Sequence, residues 1–193
     1  RSPDRADAAQ YFDEKVTDKA IEYLHGAPEE GPVFLAVGYI SSHTPFRAPK
    51  EYWDLYDRDT LRLPENKGIP EGSPEWVRGD VEPVQYYTTN GYTKPWLPGD
   101  EQARELLHGH LASLSFMDAQ IGRLLEALRS AGKLEKTLIV ITSDHGFSDG
   151  RHRYFGKHNL WDDSQHVPLI ISIPEAENGE SRRGDSSIEG VTE

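Results

Sequence analysis

The sequence contains no cysteine, only one methionine and no long hydrophobic run. The absence of cysteine excludes disulfide bonds and thiolate chemistry within the chain. No apolar run approaches the ~20 residues that a membrane-spanning helix needs, and nothing near Arg1 resembles a signal peptide. The sequence therefore predicts a protein without a membrane span.

Basic residues are also scarce. The chain has 21 Lys and Arg against 33 Asp and Glu, a net charge of -12, and a pI near 5.1. Attraction to nucleic acid begins with a basic surface, so this composition argues against a nucleic-acid partner. An anionic substrate must instead be drawn by a local cationic patch. With 193 residues the chain is long enough for one domain with a real core.

The predicted fold depends on three apolar runs and two helical patterns. Residues 33–37, 138–142 and 169–173 are short apolar runs typical of buried strands. A short helix is predicted over 17–25 with Thr17 as its N-cap, and a long amphipathic helix from near Asp100 to a C-terminal glycine at Gly132. Strand, long helix, strand is the βαβ pattern. We therefore expect an α/β fold with a largely parallel sheet flanked by helices.

Two segments depart from this regular pattern. Residues 60–99 carry six of the 13 prolines together with Trp76, Tyr86, Tyr87, Tyr92 and Trp96, and so long an irregular segment is more often a functional loop than a simple connection. Its aromatic residues either pack the loop or stack on a sugar, and packing is the commoner role. Residues 175–193 are polar and glycine-rich, which predicts a disordered tail. Residues 1–174 are expected to form the domain.

The main candidate site follows the run at 138–142, where Asp144, His145 and Gly146 come directly after a predicted strand. In open α/β sheets, ligands bind at the carboxyl ends of the strands. Asp144 offers a hard oxygen suited to Ca²⁺ or Mg²⁺, and the imidazole of His145 also suits Zn²⁺ or Mn²⁺. The alternative is that this segment simply caps a turn and supplies its glycine.

Further candidate residues lie in two loops. If the strands at 33–37 and 138–142 are parallel, His43 lies at the same edge as Asp144. Arg47 and Lys157 are suited to bind the oxygens of a tetrahedral anion. His152 is a further candidate for binding the substrate. Taken alone, His43 and His152 could each instead be loop histidines that hydrogen-bond the backbone. Together the pattern indicates a metal-assisted site for a phosphate or sulfate group.

Five segments in this order resemble the sulfatase family, in its iduronate-2-sulfatase-like branch: 34–39, 43–49, 142–146, 150–157 and 166–170. The similarity spans about residues 11–174. It implies a hydrolase of sulfate esters, with a sulfated carbohydrate as substrate, in the alkaline-phosphatase-like fold with one divalent cation, usually calcium. By the same resemblance Asp144 and His145 are metal ligands, and His43 and Lys157 bind the sulfate. Lys157 also helps to stabilise charge on the leaving oxygen.

The sequence departs from the family pattern in two respects. Sulfatases of this kind use a formylglycine made in a Cys/Ser-x-Pro-x-Arg segment, and an Asp-Asp pair near the start of the domain. The segment at 2–5 lacks the required spacing, and Asp162-Asp163 lies far downstream. We therefore expect the C-terminal part of a sulfatase catalytic domain, partnered by a missing N-terminal part. The isolated chain is expected to be inactive, with exposed apolar sheet edges.

Two alternative functions remain at this stage. One is a phosphomonoesterase or phosphodiesterase of the same superfamily, in which His145 and His152 would serve a pair of zinc ions. The other is a non-catalytic remnant that keeps an anion-binding patch. The resemblance further implies a periplasmic, secreted or lysosomal compartment.

Overall fold

The computed structural model describes residues 11–28, 31–74 and 99–174. The predicted tail and the loop aromatics from Trp76 to Trp96 lie outside these ranges. The helices are α1 (Phe12–Gly26), α2 (Lys50–Trp53), α3 (Asp100–Ser130) and α4 (Asp162–Gln165), with 3₁₀ turns at Arg58–Thr60, Leu134–Lys136 and Arg151–Arg153. The strands are β1 (Ile139–Thr142), β2 (Ser148–Asp149), β3 (Phe155–Gly156) and β4 (Leu169–Ser172). No helix among the described residues is both long and apolar enough to cross a membrane.

Helix α3 begins and ends where the sequence predicts. Gly99 is its N-cap and Ala131 its C-cap. Gly132 follows with a φ of +66°, a left-handed conformation that glycine adopts without a steric penalty. The Gly132 amide donates to Arg129 O at 2.9 Å and the Lys133 amide to Leu128 O at 3.0 Å. These two bonds form a Schellman motif, which satisfies the last carbonyl groups of the helix.

The buried face of α3 combines small residues with larger ones. Ala112, Ser113 and Phe116 are fully buried, and the Phe116 ring lies 5.3 Å from the rings of both Tyr11 and Tyr52. The larger aliphatic residues along the apolar stripe of this amphipathic helix are mostly half-buried, namely Leu107, Leu111, Leu114, Ile121 and Leu125. Small side chains allow close approach, so α1 and α2 pack on this face.

Helix α1 begins five residues earlier than predicted. Its N-cap is Tyr11, whose amide donates to Glu14 Oε2 at 3.0 Å. The prediction of Thr17 as the N-cap is wrong, because Thr17 is a fully buried interior residue whose hydroxyl donates to Asp13 O at 2.8 Å. A threonine can bond the carbonyl one turn earlier as well as cap a helix.

The strands form two antiparallel pairs. β1 pairs with β4, with Ile141 opposite Ile170, and β2 pairs with β3 as a short hairpin. The predicted strands at 138–142 and 169–173 are thus confirmed. The largely parallel sheet is not confirmed, because α3 precedes β1 and the connection from β1 to β4 runs instead through the hairpin and α4.

The prediction of a strand at 33–37 is wrong for the described structure. These residues have no assigned secondary structure, and Phe34 is 89% exposed. A strand needs a neighbouring strand to pair its backbone groups, and β1 is paired only with β4 within the described ranges. The apolar pattern therefore indicates a segment suited to a sheet, without specifying its partner.

Candidate functional site

Helix α1 holds the loop that carries His43 through hydrogen bonds to the loop backbone. The carboxylate of Asp13 is fully buried and accepts the Ile40 amide at 3.0 Å and the Ser41 amide at 2.8 Å. His43 donates from Nδ1 to Thr44 O at 2.6 Å. In the neutral ring this bond leaves Nε2 as the acceptor nitrogen.

Tyr39 lies at the start of the same loop. Its hydroxyl is 3.3 Å from Thr17 Oγ1. Burial raises the pKa of Tyr39, and the hydrogen bond with Thr17 offsets part of that rise. The phenol therefore stays neutral to a higher pH than an exposed tyrosine. Its hydrogen bond with Thr17 links the loop to α1.

Asp144 and His145 project from the loop that follows β1. Asp144 Oδ1 accepts the His145 amide at 3.1 Å, while Asp144 Oδ2 lies 3.4 Å from His145 Nε2. His145 Nδ1 donates to Gly146 O at 2.8 Å, which fixes the tautomer and leaves Nε2 with its lone pair. The turn-capping interpretation thus describes Oδ1, whereas Oδ2 and Nε2 remain as a pair of ligand-type atoms.

This pair fits part of a cation site. A carboxylate oxygen and an imidazole nitrogen 3.4 Å apart are close enough to bind one divalent ion, and a ligating histidine usually donates its other nitrogen as His145 does. The Asp144 side chain is 84% exposed, so it is open to a ligand. Within the described ranges, however, no group of three or more His, Asp or Glu side chains could hold a metal. Asp144 and His145 thus offer two ligand-type atoms, and their role as metal ligands stays a prediction.

Gly146 fixes this loop against α4. Its amide donates to Ser164 O at 3.0 Å, and a Cβ at this position would lie 2.0 Å from Asp163 O. No side chain fits there without moving the backbone. The glycine thus lets the loop approach α4 closely and sets the direction of Asp144 and His145.

An aromatic cluster joins the two loops. We name it the loop-bridging cluster, and it consists of Phe46, His110 and Phe147. Phe46 stacks on His110 with a centroid distance of 5.1 Å, and Phe147 lies 5.0 Å from His110 and 5.8 Å from Phe46. His110 Nδ1 donates to Asp149 Oδ2 at 2.7 Å. The loop of His43 and the loop of Asp144 are therefore neighbours in space.

The remaining predicted residues lie in different environments. His152 stacks on Trp161 at 4.1 Å and donates from Nδ1 to Gly68 O at 2.7 Å, with a left-handed φ of +52°. Lys157 is partly buried in the loop after β3, and Arg47 is exposed. Their roles in binding sulfate, like those of the other predicted site residues, stay predictions.

A surface pocket of about 340 Å³ lies beside α4. It is lined by Arg151, His152, Leu160, Trp161, Asp162 and Asp163. Arg151 Nη1 lies 3.2 Å from Asp163 Oδ1, and the Asp163 carbonyl faces Gly146. The pocket is thus linked through Asp163 to the Asp144 loop. It combines aromatic faces with charged groups.

Sequence reasoning missed several residues that hold this arrangement, namely Asp13, Phe46, His110, Phe147, Asp149 and Trp161. One signal was available. The short run of small residues around Gly109 and Ala112 indicates close packing on α3. A Cβ at Gly109 would lie 3.0 Å from Trp53 and 3.1 Å from Phe46. Such a run predicts that a loop approaches the helix here.

The chain matches known proteins over most of its length. The sulfatase family model matches residues 1–190. Human iduronate 2-sulfatase is 36% identical over 172 residues, covering 84% of this chain and 30% of the human protein. A sulfatase of Formosa agariphila is 31% identical over 164 residues, covering 82% of this chain and 30% of that protein. The chain thus spans about 30% of the length of these relatives.

Solved structures give the same result for the fold. A protein in complex with its substrate D-glucosamine-2-N,6-O-disulfate aligns with a TM-score of 0.72 at 25% identity, covering 86% of this chain and 44% of that one. A phosphonate monoester hydrolase from Silicibacter pomeroyi aligns with a TM-score of 0.65 at 28% identity, covering 88% of this chain and 34% of that one. From the family match, the relatives and these structures, the chain belongs to the sulfatase family.

Proposed function

We propose that the chain is the part of a sulfatase that contributes two metal ligands and several sulfate-binding residues, within a longer protein that hydrolyses sulfate esters. The observation that carries this proposal is the pair Asp144 Oδ2 and His145 Nε2, 3.4 Å apart, on a loop fixed by Gly146. Family membership supports it, because this loop is one of the segments that resemble sulfatases.

The chain's own residues would act on the sulfate group in three ways. His43, held by its bond to Thr44 O, would in its protonated form donate from Nε2 to a sulfate oxygen or to the leaving oxygen. Lys157 would neutralise charge on the sulfate and on the departing oxygen as that charge develops. Arg47 would add its guanidinium at the exposed entrance.

Two groups would come from outside the residues described here. A calcium ion held by Asp144, His145 and further ligands would polarise the sulfate oxygens, and a formylglycine in a longer polypeptide would supply the nucleophilic oxygen. The nucleophile and the remaining metal ligands are proposed from family resemblance. So is the compartment of the protein, which would be periplasmic, secreted or lysosomal. This is consistent with the chain spanning about 30% of its relatives.

A sulfated carbohydrate is the proposed substrate. The pocket beside α4 supports this, because Trp161 and His152 provide aromatic faces and Asp162, Asp163 and Arg151 provide hydrogen-bonding groups. Such a combination suits a sugar ring, which has both apolar faces and hydroxyl groups. The substrate of the aligned structure, a disulfated glucosamine, belongs to the same chemical class.

The second candidate is hydrolysis of a phosphorus ester. The alignment with a phosphonate monoester hydrolase supports it, because a tetrahedral phosphonate uses the same kinds of ligands as a sulfate. Assays of the full-length protein with a sulfate ester and a phosphonate monoester at equal concentrations distinguish the two. We expect the higher kcat/KM for the sulfate ester.

The direct test of the site is Lys157→Ala in the full-length protein. We expect kcat for a sulfate ester to fall by about 10²- to 10³-fold, as for the loss of one preorganised donor, with an unchanged melting temperature. The matched control is Lys136→Ala, an exposed lysine in a 3₁₀ turn, which should leave kcat unchanged. Near-normal turnover of the Lys157→Ala variant would remove Lys157 from the proposed site.

A further inference from the structure

One buried histidine contacts both loops of the candidate site. His110 lies on α3, is 7% exposed, and belongs to neither loop. Its ring stacks on Phe46, three residues after His43, at an interplanar angle of 23°. Its Nδ1 donates to Asp149, which lies on β2 four residues after His145. A single side chain on a 31-residue helix therefore links the two segments.

We propose that His110 is a positioning residue that fixes the His43 loop relative to the Asp144 loop. This inference rests on the proposed function of those loops. His110 acts on the first loop through the face of its ring and on the second through its N–H group. Each interaction has a preferred geometry, because offset stacking restricts the ring plane and a charge-assisted bond restricts the Nδ1 direction.

The surroundings of Asp149 favour positioning over simple stabilisation. Its second oxygen, Oδ1, is buried and has no hydrogen-bond partner among the described residues. A buried carboxylate with one unpaired oxygen is a poor device for stability alone. It does, however, tie β2 to α3 through the bond that Oδ2 accepts from His110 Nδ1.

The close approach of α3 to the first loop supports the same role. Phe46 is buried, and it lies so near the helix that a Cβ on Gly109 would be 3.1 Å from Phe46 Cδ2. The neighbouring Thr44 is also buried. Because both sides of His110 are tightly packed, a change in its ring would displace Phe46 or Phe147 rather than be absorbed by solvent.

Two substitutions separate the two interactions of His110. His110→Phe keeps an aromatic face for Phe46 but removes the N–H donor to Asp149. His110→Asn keeps a donor at the position of Nδ1 but removes the stacking ring. We expect each variant of the full-length protein to lose roughly 10- to 100-fold in kcat, as small misplacements of reacting groups do, with a smaller change in KM. The variant Asp149→Asn, which still offers an amide oxygen to Nδ1–H, should retain most of the wild-type turnover.

Amide hydrogen exchange gives a readout that does not depend on catalysis. In His110→Phe we expect faster exchange in both 43–47 and 144–149, with little change in α1. The matched control is His108→Asn, a buried histidine on the same helix that bonds Trp53 O at 2.8 Å and Arg58 Nε at 3.3 Å. It should affect exchange near 53–58 and leave kcat unchanged.

The outcomes separate this proposal from the proposed function. If the wild-type full-length protein has no sulfatase activity but His110→Phe loosens both loops, the positioning role stands and the function fails. If activity per folded molecule is unchanged in both His110 variants, or if exchange rises evenly over the whole chain, His110 is only a core residue and the proposal is overturned.

Discussion

The helical part and the strand part of the structure differ in how far they bury their apolar side chains. In the helical part, formed by α1, α2, α3 and residues 40–49, Ala112 and Phe116 are fully buried. In the strand part, formed by β1 and β4, Val140, Ile170 and Ile171 are 53%, 56% and 52% exposed. The helical part thus encloses a core, whereas the strand part presents apolar surface that another layer would cover.

The candidate site lies where these two parts meet. His43 is held by the helical part through the Asp13 carboxylate, and Asp144 follows the end of β1 in the strand part. The difference in burial therefore has a functional consequence. One side of the site is fixed by a packed core, and the other depends on the contacts of Gly146 with α4 and of Phe147 with His110.

The largest expected effect tests the difference in burial itself. Phe116→Ala should lower the free energy of unfolding by about 3–5 kcal/mol, because it empties a filled position in the core. Ile170→Ala should cost about 1 kcal/mol, because about half of its surface is already exposed. Urea unfolding of both variants of the 193-residue chain measures the two costs. Equal costs would contradict the difference in burial between the two parts.

The next effect concerns the close contact at Gly146. Gly146→Ala should lower the free energy of unfolding by about 2–3 kcal/mol, since the new Cβ overlaps Asp163 O and backbone must move. The control Gly122→Ala lies on α3 with nothing within 4 Å of the added Cβ, and it should raise stability by about 1 kcal/mol through helix propensity. A similar change in melting temperature for both would contradict the packing described for the Asp144 loop.

A smaller effect is expected for the anchor of the His43 loop. Asp13→Asn should cost about 2 kcal/mol, because it removes the charge from a buried acceptor of backbone amides. The control Asp18→Asn alters an exposed pair with Arg123 at 2.6 Å and should cost less than about 1 kcal/mol. Chemical denaturation gives both values. If Asp13→Asn is as mild as the control, the loop is held by other contacts.

The smallest effect is a pH dependence from Tyr39. Its pKa is raised in the folded protein by burial, so the neutral phenol is favoured on folding. The contribution is fully present below the unfolded-state pKa of about 10 and is lost as pH rises through the higher folded value. The stability of the wild type should therefore fall more steeply above about pH 10 than that of Tyr39→Phe. Parallel profiles in thermal melts would show that Tyr39 is not the group responsible.

Local signals in the sequence were sufficient to define α3. Pro98 and Gly99 precede it, Gly132 follows it, and the left-handed φ of Gly132 needs no tertiary contact to be anticipated. The start of α1 was harder, because Tyr11 is not a usual capping residue and Thr17 is one. Thr17 is instead buried inside the helix, where its hydroxyl bonds Asp13 O and lies beside the Tyr39 hydroxyl.

Strand pairing could not be predicted in the same way. The runs at 138–142 and 169–173 are strands, but their antiparallel register with Ile141 opposite Ile170 is set by the chain between them. The run at 33–37 has the same apolar character and no pairing in the described structure. Apolar character favours a sheet environment, whereas pairing depends on distant segments.

The same distinction applies to the site. The types of the candidate ligands, Asp144 and His145, were evident from residues that follow an apolar run, and the structure adds their 3.4 Å separation. The link between the two loops was not evident. His110, Phe46 and Phe147 come from three distant segments, and no local spacing relates them. Geometry of this kind becomes visible only once the chain is folded.

The most direct test of the account is a mass-spectrometric peptide map of the full-length gene product. We expect a Cys- or Ser-derived aldehyde in a Cys/Ser-x-Pro-x-Arg segment outside these 193 residues, because the two loops described here need a nucleophile to act on a sulfate ester. A full-length product without such an aldehyde in any peptide would contradict the claim that this chain is part of an active, formylglycine-dependent sulfatase.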